Sequence, residues 1–486
     1  MAELEIIIIS VAYLISTVAA LHVLLNKRDP RAALLWIVVC FWLPVIGVLL
    51  YMLLGMNRIR TRAQSWQDRG QGMHPVSDGN GEQHEESAPL IPPYATQNYQ
   101  LLRQLSDRVT RRPLLAGNRV QPLHNGDQAY PAMLEAIANA QHCIALSTYI
   151  FDTHTTGKKF ITALNDAAQR GVKVKVLVDG LGKLYSWPRV DKLFVNSKVQ
   201  IAYFLPATWQ RRGIHFNLRN HRKLLVLDGE TAFTGGMNIS YRHLLQKTDD
   251  TATSLWNRNR TIDIHFKVEG PVVGQMQETF REDWHFATGE TFSGRNYPAK
   301  CSDGNCLCRG ISAGPNEKYE KLVWLVIGAL NCARKQVLIM TPYFIPDRML
   351  VSALISAQLR GVSVEIMLPQ KNNLPYVQWA SRGTLHELLE YGIKVYCQPP
   401  PFVHSKLLLM DDSYALIGSA NVDPRSQRLN FEFVLELYDI QVNNQLREHF
   451  TSMRLQSNLV TVEQINQRNL TVKLRDNFFR LFSPFL

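Results

Sequence analysis

Two octapeptides carry the chemistry that is most legible in this chain of 486 residues. His221-Arg222-Lys223-Leu224-Leu225-Val226-Leu227-Asp228 returns as His404-Ser405-Lys406-Leu407-Leu408-Leu409-Met410-Asp411. Each is His-x-Lys, four apolar residues and Asp. Each leads through a second short apolar run to a small-residue turn ending in Asn: Gly235-Gly236-Met237-Asn238 and Gly418-Ser419-Ala420-Asn421. An imidazole beside a fixed ammonium is a nucleophile or acid/base next to a cation. That combination suits a phosphate ester.

The spacing has structural content. Leu224 to Leu227 and Leu407 to Met410 read as buried strands, whose side chains alternate faces. His and Lys of each motif then point the same way. The Asp of each lies an odd number of positions beyond its His, and Asp228-Gly229 and Asp411-Asp412 read as hairpin turns. Neither Asp is expected to touch its own His. Polar residues inside apolar strands usually have partners. Two downstream carboxylates fit that description: Asp263 in Thr261-Ile262-Asp263-Ile264 after the first motif, and Glu432 in Asn430-Phe431-Glu432-Phe433 after the second. Either can fix the tautomer of an imidazole.

One motif supplies half a site. Two halves related by a pseudo-twofold axis would bring His221, Lys223, His404 and Lys406 to one seam. There the two lysines, with Asn238 and Asn421, would hold one phosphodiester. One imidazole would attack phosphorus while the other protonates the departing oxygen. An unperturbed histidine titrates near ~6.5, so both roles are open near neutrality. The near symmetry leaves open which histidine attacks. The mechanism requires no metal, and the sequence has no clear metal-ligand cluster.

The elements that must position these residues also repeat. MLEAIANAQHCIALSTYI from Met133 and VIGALNCARKQVLIMTPYF from Val326 both read as helix then strand. FITALNDAAQRGVKVKVLVD from Phe160 matches MLVSALISAQLRGVSVEIML from Met349, with Arg-Gly-Val marking each helix end. Helix, strand, helix, strand, strand, twice over, predicts an α/β fold of two duplicated domains with mixed sheets packed about a pseudo-twofold axis. The expected division is 96–300 and 301–486.

Ahead of the body, residues 6–25 and 32–54 are nearly continuous apolar runs, each long enough to span a bilayer. The first is preceded by Glu3 and Glu5, unlike a cleaved signal peptide. Residues 1–60 are therefore expected to form a two-helix transmembrane hairpin. Residues 61–95, rich in Gly, Ser, Glu, Gln, His and Pro, are expected to be a flexible linker. The formal net charge of +12 favours anionic partners. Seven cysteines show no disulfide framework, which favours a reducing compartment and a catalytic body facing the cytoplasm. Cys301, Cys306 and Cys308 lack the Cys-x2-Cys spacing common in zinc sites.

The paired His-x-Lys-x4-Asp motifs and their Gly-Gly/Ser-x-Asn turns resemble the phospholipase D superfamily over roughly residues 120 to 440. With two N-terminal apolar segments added, the chain is similar to bacterial cardiolipin synthases, most closely the enterobacterial A type. The resemblance implies an inner-membrane enzyme that forms cardiolipin and glycerol from two phosphatidylglycerols through a phosphatidyl-histidine. It implies no nucleotide cofactor. His221, Lys223, Asp228, His404, Lys406 and Asp411 fall on the catalytic motif positions, and Asn238 and Asn421 on phosphate-binding ones. Among the two histidines it favours His221 as nucleophile. Anionic lipid is the expected partner, nucleic acid is not, and an oligomer is compatible. A membrane-tethered hydrolase or nuclease using the same motifs is the alternative.

Overall fold

A computed structural model describes residues 2–27, 30–55, 97–194, 197–205, 218–245, 260–290, 303–314 and 320–483. The chain divides into two compact units, 1–70 and 71–486. The proposed linker, 61–95, lies wholly outside the described residues, as does Cys301.

In the first unit, the helix Ala2–Asn26 packs on Pro30–Trp42 through Ala19, Val23, Ala33 and Cys40. The segment Leu4–Asn26 is, among the described residues, the one helix long and apolar enough to cross a membrane. The second apolar run is not one helix. It ends at Trp42 and resumes as Ile46–Leu50 and the wide turn Tyr51–Gly55. Pro44 explains the break, since it has no N–H to continue the ladder. The hydroxyl of Ser16 donates to the carbonyl of Cys40 at 2.8 Å and lies 3.1 Å from that of Pro44, so a carbonyl freed there has a partner. The expected pair of full-length spans is thus one long helix and one interrupted one.

Among the described residues, the second unit is built on a 15-stranded mixed sheet, with two further short strands paired in a separate two-stranded sheet. The first half supplies β1 (Leu115–His124), β2 (Cys143–Thr148), β3 (Lys173–Asp179), β4 (Gln200–Phe204), β5 (Leu224–Leu227), β6 (Thr231–Gly235), the short β7 (Thr261–Ile262) and β8 (Ile264–Glu269). The second half supplies β9 (Cys306–Ala313), β10 (Gln336–Met340), β11 (Ser363–Pro369), β12 (Lys394–Gln398), the short β13 (Phe402–Val403), β14 (Leu407–Met410), β15 (Tyr414–Gly418), β16 (Glu432–Tyr438) and β17 (Asn458–Leu459). Outward from the central β1–β9 pair, the first half runs β8, β6, β5, β2, β3, β4. The second runs β16, β15, β14, β10, β11, β12 and ends on β17. The two orders match strand for strand, which is the pseudo-twofold relation read from the repeat.

Each half has its own apolar core. Ile137, Phe160, Leu164, Val176 and Phe233 belong to the first, and Leu325, Leu354, Ile366, Leu388 and Leu416 to the second. Gly171 and Gly361 close their helices with φ of 95° and 88°, as the Arg-Gly-Val pattern predicts. The helix Gln97–Thr110 opens the body, yet its Tyr99 and Leu102 are buried in the second core. Gly328 allows that contact, because a Cβ there would lie 2.2 Å from the side chain of Leu105.

Candidate active site

Both motifs enter their strands from a strap that crosses to the other half. Before His404, β13 pairs in parallel with β7, and the His404 amide donates to the carbonyl of Ile262 at 2.8 Å. Before His221, the Phe431 amide donates to the carbonyl of Arg219, and the His221 amide donates to that of Phe431 at 2.9 Å. The residue after Ile262 is Asp263, and the residue after Phe431 is Glu432. The straps therefore set each histidine beside a carboxylate of the opposite half.

His404 Nδ1 lies 2.8 Å from Asp263 Oδ2. His221 Nδ1 lies 3.2 Å from Glu432 Oε1. Both carboxylates are fully buried, and the imidazoles are mostly so. Lys223 Nζ donates to the carbonyl of His221 and Lys406 Nζ to that of His404, each at 2.5 Å. Lys406 Nζ also lies 3.0 Å from His404 Nε2. The strands themselves begin only at Leu224 and Leu407, so both His-x-Lys triplets sit in the approach to them.

The seam is electrostatically one object. Burial pushes the His404 imidazole well below its usual value, and Lys406, Lys223 and His221 add to that, against Glu432. Burial also lowers His221, opposed by Glu432. It lowers both lysines, Lys406 to about 7, despite the attraction of Asp263 and Glu432. The two acids differ. Burial raises both, but His221, Lys223 and the Ser419 hydroxyl bring Glu432 below its ordinary value, while Asp263 stays above its own. The difference is built into the Asn turns. The Ser419 hydroxyl donates to Glu432 Oε2 at 2.5 Å. Gly236 stands in its place in the first half, where a Cβ would lie 2.5 Å from both Asp263 oxygens.

Asn421 is buried. Its Oδ1 has no protein partner, and it lines a small cavity with Thr341 and Lys406. Asn238 is half-buried, and its Oδ1 accepts from the Ile150 amide at 3.2 Å. Asp228 and Asp411 stand apart. Each has positive φ in its hairpin, at 53° and 49°. Asp228 accepts from the amides of Gln141, His142 and Cys143, and Asp411 from those of Arg334, Lys335 and Gln336. These bonds lie at the far ends of β5 and β14. The two aspartates, which the motif resemblance sets on catalytic positions, are placed as turn anchors away from the histidines, as the strand spacing predicts.

Sequence reasoning did not single out several neighbours of the seam. Tyr149 packs edge-on against His221, with centroids 4.7 Å apart. His243 lies 6.4 Å from His404. Asn430 Nδ2 lies 3.1 Å from His221 Nδ1 and 3.3 Å from Glu432 Oε1. Asn430 and Ser419 were open to notice as polar residues beside the Glu432 strand. Tyr149 and His243 carry no local signal. Among the described residues, no group of three His, Cys, Asp or Glu side chains is arranged to hold a metal ion. Cys306 and Cys308 are buried in β9 with sulfurs 3.3 Å apart.

Two imidazoles, each beside a buried lysine and a carboxylate of the opposite half, are gathered between duplicated α/β halves, an arrangement suited to a phosphodiester-processing enzyme. Two family models match the chain. One is described as "Cardiolipin synthase, PLD-like domain", over residues 133–284 and 326–454, and the other as "Phospholipase_D-nuclease N-terminal", over 14–55. The chain is 31% identical over 485 residues to the major cardiolipin synthase of Bacillus subtilis, covering 99% of both. It is 31% identical over 479 residues to cardiolipin synthase A of Pseudomonas putida, covering 99% of this chain and 98% of that one. The fold matches a phosphatidylserine synthase of Haemophilus influenzae with a TM-score of 0.62 at 16% identity, over 79% of this chain and all of the other. The chain belongs to the cardiolipin synthase family of the phospholipase D superfamily.

Proposed function

We propose that the chain joins two phosphatidylglycerol molecules into cardiolipin, releasing glycerol, through a phosphatidyl group held on histidine. The observation that carries this reading is near full-length identity to relatives named as cardiolipin synthases. The seam geometry fits the chemistry. His221 Nε2 attacks phosphorus of the first lipid, and the bond to glycerol oxygen breaks as that oxygen takes a proton from His404. The terminal hydroxyl of the second lipid then gives a proton to His404 and attacks phosphorus, and the P–N bond breaks.

Lys223, Lys406, Asn238 and Asn421 face the non-bridging oxygens in this reading. Glu432 and Asp263 hold Nδ1–H of the imidazoles so that Nε2 faces the phosphate. The phosphodiester brings negative charge to a seam that holds two lysines. That favours the protonated His404 the first step needs. Asp228 and Asp411 act through the hairpins that aim the motifs. The catalytic body comprises halves 96–300 and 301–486, with the helix Gln97–Thr110 completing the second core.

The protein is membrane-associated, with Leu4–Asn26 as its longest apolar helix. We place it in the bacterial inner membrane as a multi-pass protein with the body in the cytoplasm, as the basic residues Arg58, Arg60 and Arg62 after the second apolar run favour. Purified full-length protein in phosphatidylglycerol proteoliposomes tests the reading. Cardiolipin and glycerol should appear in equal amounts. Phosphatidic acid as the main product would make it a hydrolase, and cleavage of added DNA without lipid turnover would make it a nuclease.

A further inference from the structure

Among the described residues, exposed apolar side chains gather at a place on each half of the body. In the first half, β3 ends at Asp179 and the chain turns through Gly182–Tyr185. Leu184, Tyr185 and Trp187 project there, with 69%, 65% and 74% of their surface exposed. This turn adjoins the seam, since Tyr185 packs 6.2 Å from Tyr149, which covers His221. Lys183, Arg189 and Lys192 surround it, and the Lys192 ammonium lies over the Trp187 ring.

In the second half, the helix Leu470–Arg480 and the turn after it carry Leu470, Leu474, Phe478, Leu481 and Phe482, all exposed. Their spacing of four, four and three or four puts them on one stripe. The opposite side is the docked one. Asp476 is buried between Arg468 and Arg475, and Phe479 packs on Trp379 of the helix Pro375–Glu390 with centroids 4.8 Å apart. That second helix joins Val377 to Tyr343 in one apolar cluster just beyond the end of β10, whose Met340 pairs with Leu407 of the second motif. Tyr343 lies within electrostatic reach of both Tyr376, at the start of the helix Pro375–Glu390, and Tyr185 of the first-half turn.

A stripe of Leu and Phe on a helix that also carries Lys473 and Arg480 is the composition of an interfacial membrane helix, and Tyr185 and Trp187 of the other surface are the residue types that anchor at such an interface. A second copy of this chain would set like charges against each other around the same apolar stripe. An anionic bilayer meets both features.

We infer that Leu184, Tyr185 and Trp187 together with Leu474, Phe478 and Leu481 form a docking surface for an anionic phospholipid bilayer. Docking there presents the seam to lipid rather than to bulk water. This deepens, and rests on, the reading of the seam as acting on phosphatidylglycerol.

Two measurements on the full-length protein test it. The variant L474E/F478E should lose about tenfold or more of its cardiolipin synthesis in phosphatidylglycerol proteoliposomes, as expected when two apolar side chains no longer enter lipid. Its turnover of a soluble nitrophenyl phosphodiester should match wild type. Equal vesicle activity would overturn the inference. Separately, F478W in vesicles of brominated phosphatidylglycerol should show quenched fluorescence beyond that of the native tryptophans. Absence of that quenching, through exposure to water or burial against a second copy, would also overturn it. If L474E/F478E lost both activities through misfolding, the quenching result decides. If wild type turned over the soluble diester but made no cardiolipin, the functional reading would fail while the quenching still reported docking.

Discussion

Asp263, carried by the first half, lies 2.8 Å from the Nδ1 of His404, carried by the second. Glu432 and His221 repeat the exchange in the other direction. Each half therefore holds the imidazole of one pair and the carboxylate of the other. Asp263→Asn and Glu432→Gln should each lower kcat by about 10⁴-fold, the loss seen when an orienting carboxylate is neutralised and the imidazole takes the wrong tautomer. Because Asp263 acts through His404, combining Asp263→Asn with His404→Gln should cost little more than His404→Gln alone. Additive losses in steady-state kinetics would show that Asp263 has a separate role.

The motif aspartates predict the opposite phenotype. Asp228 and Asp411 each accept backbone amides from the loop before a neighbouring strand, and do so from a left-handed turn. Asp228→Ala should destabilise the fold by about 2–3 kcal/mol, since hydrogen bonds to a charged acceptor are lost and alanine is strained at positive φ. The kcat of the folded fraction should stay near wild type. Thermal unfolding in detergent, read beside active-site-normalised kcat, separates the two effects. A variant of unchanged Tm with no turnover would contradict the anchor role.

These aspartates mark what was legible in the sequence. Strand periodicity placed Asp228 and Asp411 away from the histidines, and the internal repeat gave the duplicated halves and the strand-for-strand order. The burial of Asp263 and Glu432 was legible as well, because a carboxylate between apolar neighbours needs a partner. Which imidazole each would meet was not. That depends on β13 pairing with β7 and on Phe431 pairing beside Asn220, contacts between segments far apart in the chain. Pairing of such short polar segments leaves no periodicity to read. Composition tolerates Pro44 within a single apolar span, whereas the backbone hydrogen bonds do not. Nothing local marks Tyr149, the residue after a strand, as the cover of a site.

The depressed lysine has a kinetic signature. Burial brings the Lys406 ammonium down to about 7. Its charged form binds phosphate and is lost as pH rises through that value. The kcat/KM for a soluble phosphodiester should therefore fall on the alkaline side of pH 7, because this parameter reports the free enzyme. In the bound state the phosphate restores the ammonium, so kcat should hold to higher pH. Lys406→Ala should reduce turnover by about 10²–10³-fold and remove the alkaline limb. A limb unchanged in Lys406→Ala would assign it to another group.

Three buried histidines make the fold acid-sensitive. Burial lowers His243 to about 3, and His265 and His449 to about 4. Unfolded, each would titrate near ~6.5. Between those values the unfolded chain binds more protons than the folded one, so stability is present above about pH 6.5 and is lost as pH falls toward 4. Each group contributes up to about 1.4 kcal/mol per pH unit in that window. Unfolding in detergent across this range should show a Tm that drops with acidity, and less steeply in His449→Gln. A Tm that rose on acidification would reverse the sign of the argument.

The last test separates the two imidazoles. The described bonds to the His221 ring fall on Nδ1, where Glu432 is held ionised with help from the Ser419 hydroxyl. An anion behind Nδ1–H raises electron density at Nε2, as a nucleophile requires. His404 instead has Lys406 at 3.0 Å from its Nε2 and an Asp263 whose carboxyl burial keeps above its ordinary range. It is the better placed to give a proton and take it back. A nitrophenyl phosphodiester leaves with little need of protonation, so His404→Ala should still load His221 and then stall, for want of the base that activates the acceptor. His221→Ala has no atom to carry the adduct. Intact-mass analysis after brief exposure to that substrate should find the phosphorylated species in His404→Ala and not in His221→Ala. The reverse pattern would exchange the two roles, and it would leave the Ser419–Glu432 bond serving the acid rather than the nucleophile.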